Sequence, residues 1–254
     1  MTAIIDVQNL TVAYDDYIVM RDISFTVNRG DIFIIMGASG CGKSSLLRAL
    51  TGLLPIPRGS VCIGGSNIAT ASAAQRTQTL RQCGILYQSG ALFSAMTLAE
   101  NVALPLQQQT DYDPQTIAQI VDLKLALVGL AGFNDFYPSE ISGGMKKRAG
   151  LARALALDPR IVYFDEPSAG LDPLSSRALD ELILNINRSL GTTIVMITHE
   201  LPSLLSIGTN SIFLDAATRS IIARGRPSDL LRDPPNATVA RFLTRGVCHE
   251  AKTE

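Results

Sequence analysis

Apolar and polar residues alternate through the first thirty positions of the chain. Ile4-Ile5-Asp6-Val7-Gln8-Asn9-Leu10-Thr11-Val12, then Ile18-Val19-Met20-Arg21-Asp22-Ile23-Ser24-Phe25-Thr26-Val27, carry a period of two. That period predicts antiparallel strands with one wetted face. Asp31-Ile32-Phe33-Ile34-Ile35-Met36-Gly37 breaks it with a continuous apolar run, as expected of a central strand covered on both sides. From Lys43 the spacing becomes helical, with Leu46, Leu47 and Leu50 on one side and Gly52 as the stop. A hairpin is predicted between Gly59 and Ile68. From about Phe93 to Ala156 no strand alternation is found. Ile117, Ile120, Val121, Leu123, Leu127, Leu151 and Leu155 recur there at helical spacing, so this stretch predicts a mostly helical lobe. Buried strands are predicted again at Ile161-Val162-Tyr163-Phe164 and Thr193-Ile194-Val195-Met196-Ile197, with a helix from Pro173 to Leu190 between them. Asn210 to Arg224 reads as a closing hairpin, followed by two short helices up to Leu243 and a frayed tail over 247–254. The order predicts one α/β domain over 1–246 with a helical subdomain inserted at about 93–156.

Composition narrows the partners. The 254 residues hold 22 Lys and Arg against 23 Asp and Glu, a net charge of −1, whereas a protein that tracks nucleic acid carries a basic excess. Nucleic acid is therefore not expected as a partner. A hydrophobic fraction of 46% excludes a disordered chain. The uncharged stretch from Gln82 to Ala99 is interrupted by Gln88, Ser89, Gly90 and Ser94, and so is no membrane span, which needs about 20 apolar residues. MTAIIDVQNL has no export signal, and a cytosolic location is expected. Cys41, Cys62, Cys83 and Cys248 form no C-x-x-C pair, and His199 and His249 are the two histidines. Reduced thiols and no zinc site are expected.

The chemistry enters at Gly37-Ala38-Ser39-Gly40-Cys41-Gly42-Lys43-Ser44, which fits G-x-x-x-x-G-K-[ST] between a strand and a helix. Glycines let successive backbone N–H groups close on phosphate oxygens, and the helix start adds positive potential. Lys43 has the reach for the outer phosphates, and the Ser44 hydroxyl can ligate Mg²⁺. Asp165 and Glu166 end the strand Ile161–Phe164, Asp165 as a Mg²⁺ holder and Glu166 as a general base for water. A second anion site is predicted where Ser142 caps the helix after Gly143-Gly144-Met145.

At this point the chain resembles the ABC-type ATPases. Ile141-Ser142-Gly143-Gly144-Met145 is similar to their L-S-G-G-Q signature and lies 23 residues before Asp165. Gln88 matches the Q-loop, Ala169-Gly170-Leu171-Asp172 the D-loop and His199 the H-loop, and Tyr14 falls where an aromatic stacks on adenine, with Tyr17 as the alternative. The resemblance spans about Ile4 to Arg224. It implies a P-loop NTPase fold with a RecA-like core, an N-terminal antiparallel β-subdomain and the helical insertion. It also implies a head-to-tail homodimer in which MgATP on Gly37, Ala38, Ser39, Gly40, Cys41, Gly42, Lys43, Ser44 and Ser45 of one copy is closed over by Ser142, Gly143 and Gly144 of the other. Gln88 would join the Mg²⁺ and water shell, and His199 would contact the γ-phosphate and position Glu166.

Two departures from the general pattern, Met145 in the signature and Gln88-Ser89-Gly90-Ala91-Leu92-Phe93 after the Q-loop, resemble the Mla branch, whose ATPases power lipid-carrying MCE systems. That branch implies a peripheral subunit on the cytoplasmic face of an inner membrane, moving phospholipids between the two membranes of the envelope. Its partners would be an integral membrane permease, a STAS-domain subunit and an MCE-domain periplasmic subunit. A soluble assembly ATPase, such as one serving iron–sulfur clusters, stays open on length, and so does another importer. Phe93, Met96 and Leu98 are expected either to line a groove for a permease helix or to pack between lobes. The helix from Ala237 to Arg245 reads as a partner-docking element or as a terminal cap.

Overall fold

The computed structural model describes residues 2–244. The expected tail, with Cys248 and His249, lies outside the described residues. Strands β1 (Ala3–Tyr14) and β2 (Tyr17–Asn28) pair antiparallel, and β3 (Ile32–Gly37) leads into α1 (Lys43–Leu50). A hairpin of β4 (Arg58–Ile63) and β5 (Ser66–Asn67) follows, then α2 (Ala73–Leu80) and β6 (Cys83–Leu86). The helical stretch consists of α3 (Leu98–Gln109), α4 (Pro114–Leu127) and α5 (Gly143–Ala154). Next come β7 (Ile161–Asp165), α6 (Pro173–Leu190), β8 (Thr193–Ile197) and α7 (Leu201–Ile207). The hairpin of β9 (Asn210–Asp215) and β10 (Ser220–Arg224) and helices α8 (Pro227–Arg232) and α9 (Ala237–Leu243) complete the order.

The strands form two sheets. One is four-stranded in the order β2-β1-β4-β5; the other runs β10-β9-β3-β8-β7-β6, parallel except at β10. The alternation of side chains along β3 divides the interior. Phe33 and Ile35 face α1 and the antiparallel sheet, where Phe33 stacks on Phe25 with ring centroids 5.3 Å apart. Ile32, Ile34 and Met36 face the helices, in a core that continues through Leu98, Val102, Leu125 and Leu151. Both sides being covered, all six residues of β3 are buried, which is why its sequence is continuously apolar. The helical lobe thus shares one core with that face of the parallel sheet.

Leu123 and Leu127, which recur at helical spacing, are exposed by 64% and 37%. The buried stripe of α4 is Ile117, Val121 and Leu125, one helical turn apart, with Lys124 beside it. Periodicity also misses α2, β6 and α7. Helix α2 carries no apolar stripe and starts on a capping box in which Ser72 and Gln75 satisfy each other's backbone N–H. Strand β6 has four residues and one glycine, and a Cβ on Gly84 would stand 2.2 Å from the Ala154 carbonyl oxygen. Helix α7 is too short to show a period.

Asp180 on α6 is buried and accepts one hydrogen bond, from Ser203 Oγ on α7 at 2.7 Å. Burial pushes its carboxyl above the ordinary range, against the pull of Ser203. An acid whose folded pKa is raised loses stability as pH climbs from the unfolded to the folded value, and the loss is complete above it. Asp180→Asn keeps an acceptor for Ser203 and removes the charge. It is expected to raise the Tm by a few degrees at neutral pH, a gain that disappears below the ordinary carboxylate range when melting is followed against pH.

Candidate functional site

Parallel β3, β6, β7 and β8 end on the same edge of the sheet, where the loops of such folds collect ligands. Register aligns Ile35 with Ile197 and Asp165 with Ile197, so the residues just beyond each pair meet. Gly37 opens the phosphate loop at φ 146°, and a Cβ there would lie 2.4 Å from the Leu214 carbonyl oxygen. Gly42 sits at φ 95°, where a Cβ would press to 2.6 Å on Val19. Both positions require glycine. The loop wraps Lys43, which is 8% exposed and donates to the carbonyls of Gly37 at 2.8 Å and Ala38 at 2.9 Å. The ammonium is thereby held at the loop's centre by weak acceptors that a phosphate outcompetes.

The loop borders a cleft of about 760 Å³. Gly37, Ala38, Ser39, Gly40, Gly42, Lys43, Ser44 and Ser45 line one wall, Tyr14, Tyr17 and Val19 a second, and Glu166 and His199 a third. Cys41 lies within the loop with its thiol turned beneath it, 2% exposed and 3.9 Å from Lys43 Nζ, so that its backbone is what the loop presents. Burial raises that thiol's pKa, Lys43 opposing. The Tyr14 hydroxyl accepts from Arg48 at 3.1 Å and Ser45 at 3.4 Å, contacts that lower its pKa, Ser45 foremost, against desolvation. The Tyr17 ring is covered by Arg219, 5.2 Å from its centroid.

Glu166 has φ 50°, in the left-handed region, with its N–H on the Ile197 carbonyl at 2.9 Å. Strain of this kind in a non-glycine residue is held only where surroundings dictate it. His199 Nδ1 lies 3.2 Å from Glu166 Oε1, and its Nε2 is 3.6 Å from Glu200. Asp165 faces Ser44 Oγ at 3.5 Å, and burial followed by the Glu166 charge lifts its carboxyl above the ordinary range. A hydroxyl and a carboxylate so placed are two of the hard oxygen ligands that Mg²⁺ accepts, with phosphate and water supplying the rest. The residues fit that ion.

Gln88 follows β6 on the same edge, exposed and outside the cleft lining. The turn after it is locked to α5. A Cβ on Gly150 would stand 2.8 Å from the Gly90 carbonyl oxygen, and Arg153 donates to the carbonyls of Ala91 at 2.8 Å and Gly90 at 3.1 Å. Arg153 also lies over the half-exposed Phe93 ring, whereas Leu98 is fully buried in the core and lines no groove.

Ser142 caps α5, its Oγ accepting from Met145 N–H at 3.2 Å. Ser142 and Gly144 open into a separate cleft of about 410 Å³ shared with Leu171 and Ser175. Within one chain, therefore, the structure does not bring the signature to the phosphate loop.

Two residues of the site escape sequence reasoning. Phe242 on α9 packs edge-on against Phe213, centroids 5.0 Å apart, and reaches the phosphate-loop cleft. Helix α9 thus packs on the core through Val239 and Leu243 and also walls the cleft. Lys147, within a run of cations, is 6% exposed and its ammonium donates to the Ala169 carbonyl. Burial lowers its pKa while the Glu166 charge raises it. The position four residues before Leu151 on the buried side of α5 was the signal.

The profile of the ABC transporter family matches residues 20–169. A protein of Mycobacterium tuberculosis described as a probable ribonucleotide transport ATP-binding protein is 40% identical over 239 residues, 94% of this chain and 66% of that one. This chain accordingly spans 66% of the length of that Mycobacterium tuberculosis protein and 69% of its Mycobacterium leprae counterpart. MlaF of Escherichia coli, an intermembrane phospholipid transport system ATP-binding protein, is 38% identical over 240 residues, covering 94% of this chain and 88% of MlaF. Among solved structures, the cassette of a Clostridium perfringens ABC transporter complex aligns with TM-score 0.84 at 25% identity, over 97% of this chain and 96% of that one. A dimeric ATP-binding cassette bound to ADP and phosphate aligns with TM-score 0.79 at 25% identity, over 87% and 98%.

Proposed function

The chain belongs to the ABC transporter family through its ATP-binding cassette, and from that membership we propose that it is the ATP-hydrolysing subunit of a membrane complex that moves phospholipids. One cassette would occupy 1–246, with its helical subdomain at 93–156. The observation that carries the reading is the Glu166–His199 contact of 3.2 Å at the rim of the phosphate-loop cleft. A carboxylate held there by an imidazole is placed to take a proton from water attacking a γ-phosphate.

Lys43 leaves the Gly37 and Ala38 carbonyls for the β- and γ-phosphate oxygens. The N–H groups of residues 38–45 bind the remaining oxygens at the start of α1. Ser44 and Asp165 would hold Mg²⁺, which when bound neutralises phosphate charge, and Gln88 would reach its water shell once the turn at Gly90 shifts. Tyr14, tethered to Ser45 and Arg48 of the phosphate-binding helix, is the aromatic for adenine. Tyr14→Ala is expected to weaken MgADP binding about tenfold and Tyr17→Ala much less, by equilibrium titration. Because the Cys41 thiol is buried under the loop, its alkylation requires the loop to open, and MgATP is expected to slow the labelling several-fold.

A second copy would complete the cage, with its Ser142, Gly143 and Gly144 N–H groups aimed at the γ-phosphate. Among the described residues no helix is long and apolar enough to cross a membrane, so an integral permease must carry the lipid. MCE-domain and STAS-domain subunits complete the Mla-type assembly, with this chain on the cytoplasmic face of the inner membrane. Phospholipid is preferred over ribonucleotide as cargo because Met145 in the signature and Gln88-Ser89-Gly90-Ala91-Leu92-Phe93 resemble the Mla branch. Purification of the chain from detergent-solubilised membranes, with mass spectrometry of proteins and lipids, is expected to recover a multi-spanning protein and phospholipid. Recovery with soluble partners alone would support the assembly-ATPase reading instead.

A further inference from the structure

We propose that Lys147 is a positioning residue that ties the Glu166 turn of one nucleotide site to the signature helix that serves the other. The proposal rests on the composite-site reading above. Lys147 lies on the first turns of α5, three residues after Gly144, with its ammonium buried. Burying an ammonium is costly unless it is bonded and compensated by charge. It donates to the Ala169 carbonyl, and Glu166 supplies the opposing charge. Ala169 is in turn bound to Glu166: its N–H donates to the Glu166 carbonyl at 3.2 Å, closing the turn that holds Glu166 at φ 50°. One residue, Ala169, therefore joins both ends. Its N–H side holds the turn of the catalytic carboxylate, and its carbonyl side is held by the signature helix.

The consequence comes from where those two ends point. Glu166 acts on the nucleotide bound by its own chain. Ser142–Gly144, at the start of the same helix as Lys147, close the nucleotide bound by the partner copy. When the partner's triphosphate draws the start of α5 toward it, the Lys147 ammonium and the Ala169 carbonyl move with the helix, and the Glu166 turn is set. A site whose neighbour is empty keeps its carboxylate less well placed. Two occupied sites then hydrolyse faster than one, through side chains of a single subunit.

Lys147→Met keeps the length and apolar stem of the side chain and removes the ammonium. In the full-length chain, ATP hydrolysis measured against MgATP concentration is expected to show kcat about tenfold lower. The Hill coefficient should fall from near the two-site limit toward one, while MgADP affinity and Tm stay at wild-type values. Lys147→Arg, which restores a cation, is expected to recover most of both losses. A Lys147→Met variant that keeps the wild-type Hill coefficient, whatever its kcat, overturns the proposal. So does a parallel fall in MgADP affinity and Tm that arginine does not rescue, since that marks a role in packing alone. Absence of cooperativity in the wild-type chain would overturn the composite site and this proposal together, whereas cooperativity unchanged by the variant would overturn only the assignment of Lys147.

Discussion

Glu166→Gln is expected to lower steady-state ATP hydrolysis about a thousandfold, the scale of a lost general base, while leaving MgATP affinity within twofold. The amide preserves the side chain's volume and a polar partner for His199, 3.2 Å from the carboxylate in the native site, so the left-handed turn at φ 50° has no new reason to relax. The phosphate loop is untouched: Lys43 bonds to Gly37 and Ala38, not to Glu166. With binding kept and turnover removed, the variant should accumulate as an MgATP-bound dimer, measurable by light scattering during size-exclusion chromatography. Hydrolysis at the wild-type rate would remove Glu166 from the role of base. A matching loss of nucleotide affinity would mean that the substitution disturbed the loop.

Gly144→Asp is the second large effect, because in the proposed composite site it would act from the opposite copy. A Cβ at Gly144 would meet Leu171 Cδ2 at 3.8 Å and Ser175 Oγ at 4.0 Å, ordinary contacts that leave the helix start intact. The first turn of α5 holds no acidic residue, so a carboxylate there interacts favourably with the helix dipole. Tm is therefore expected to hold or rise. In the composite site proposed above the same carboxylate would face the triphosphate of the partner copy, and its repulsion is expected to lower hydrolysis more than about a hundredfold. MgADP binding to each chain's own phosphate loop should be unchanged. Hydrolysis that survives in Gly144→Asp would show that one chain completes its nucleotide site alone.

The order of elements and most of the site were legible in the sequence because each depends on local chemistry. Gly37 and Gly42 announce a loop that no other residue fits, and the apolar run from Ile32 to Met36 announces its strand. What periodicity missed is set by contacts distant along the chain. Helix α2 exposes nearly all its residues, and its capping box rather than an apolar stripe marks its start. The surplus leucines of α4 point outward because Ile117, Val121 and Leu125 already fill the space against α3 and α5. Cys41 was placed on the loop by its position in the motif, yet the direction of its side chain depends on the backbone turn at Gly40 and Gly42. Phe242 reached the cleft only through Phe213 on β9, a contact with no trace in the order of residues near the terminus.

Gly90 and Gly150 meet main chain to main chain, without a side chain between them to yield. A joint of that kind has no play. Any tug on the stretch beyond Gln88 must swing α5 as a rigid lever about 18 Å long, with Ser142 at its far tip. In the proposed composite site, a displacement of the stretch at Phe93 would therefore be felt at Ser142, where a second copy would meet the nucleotide.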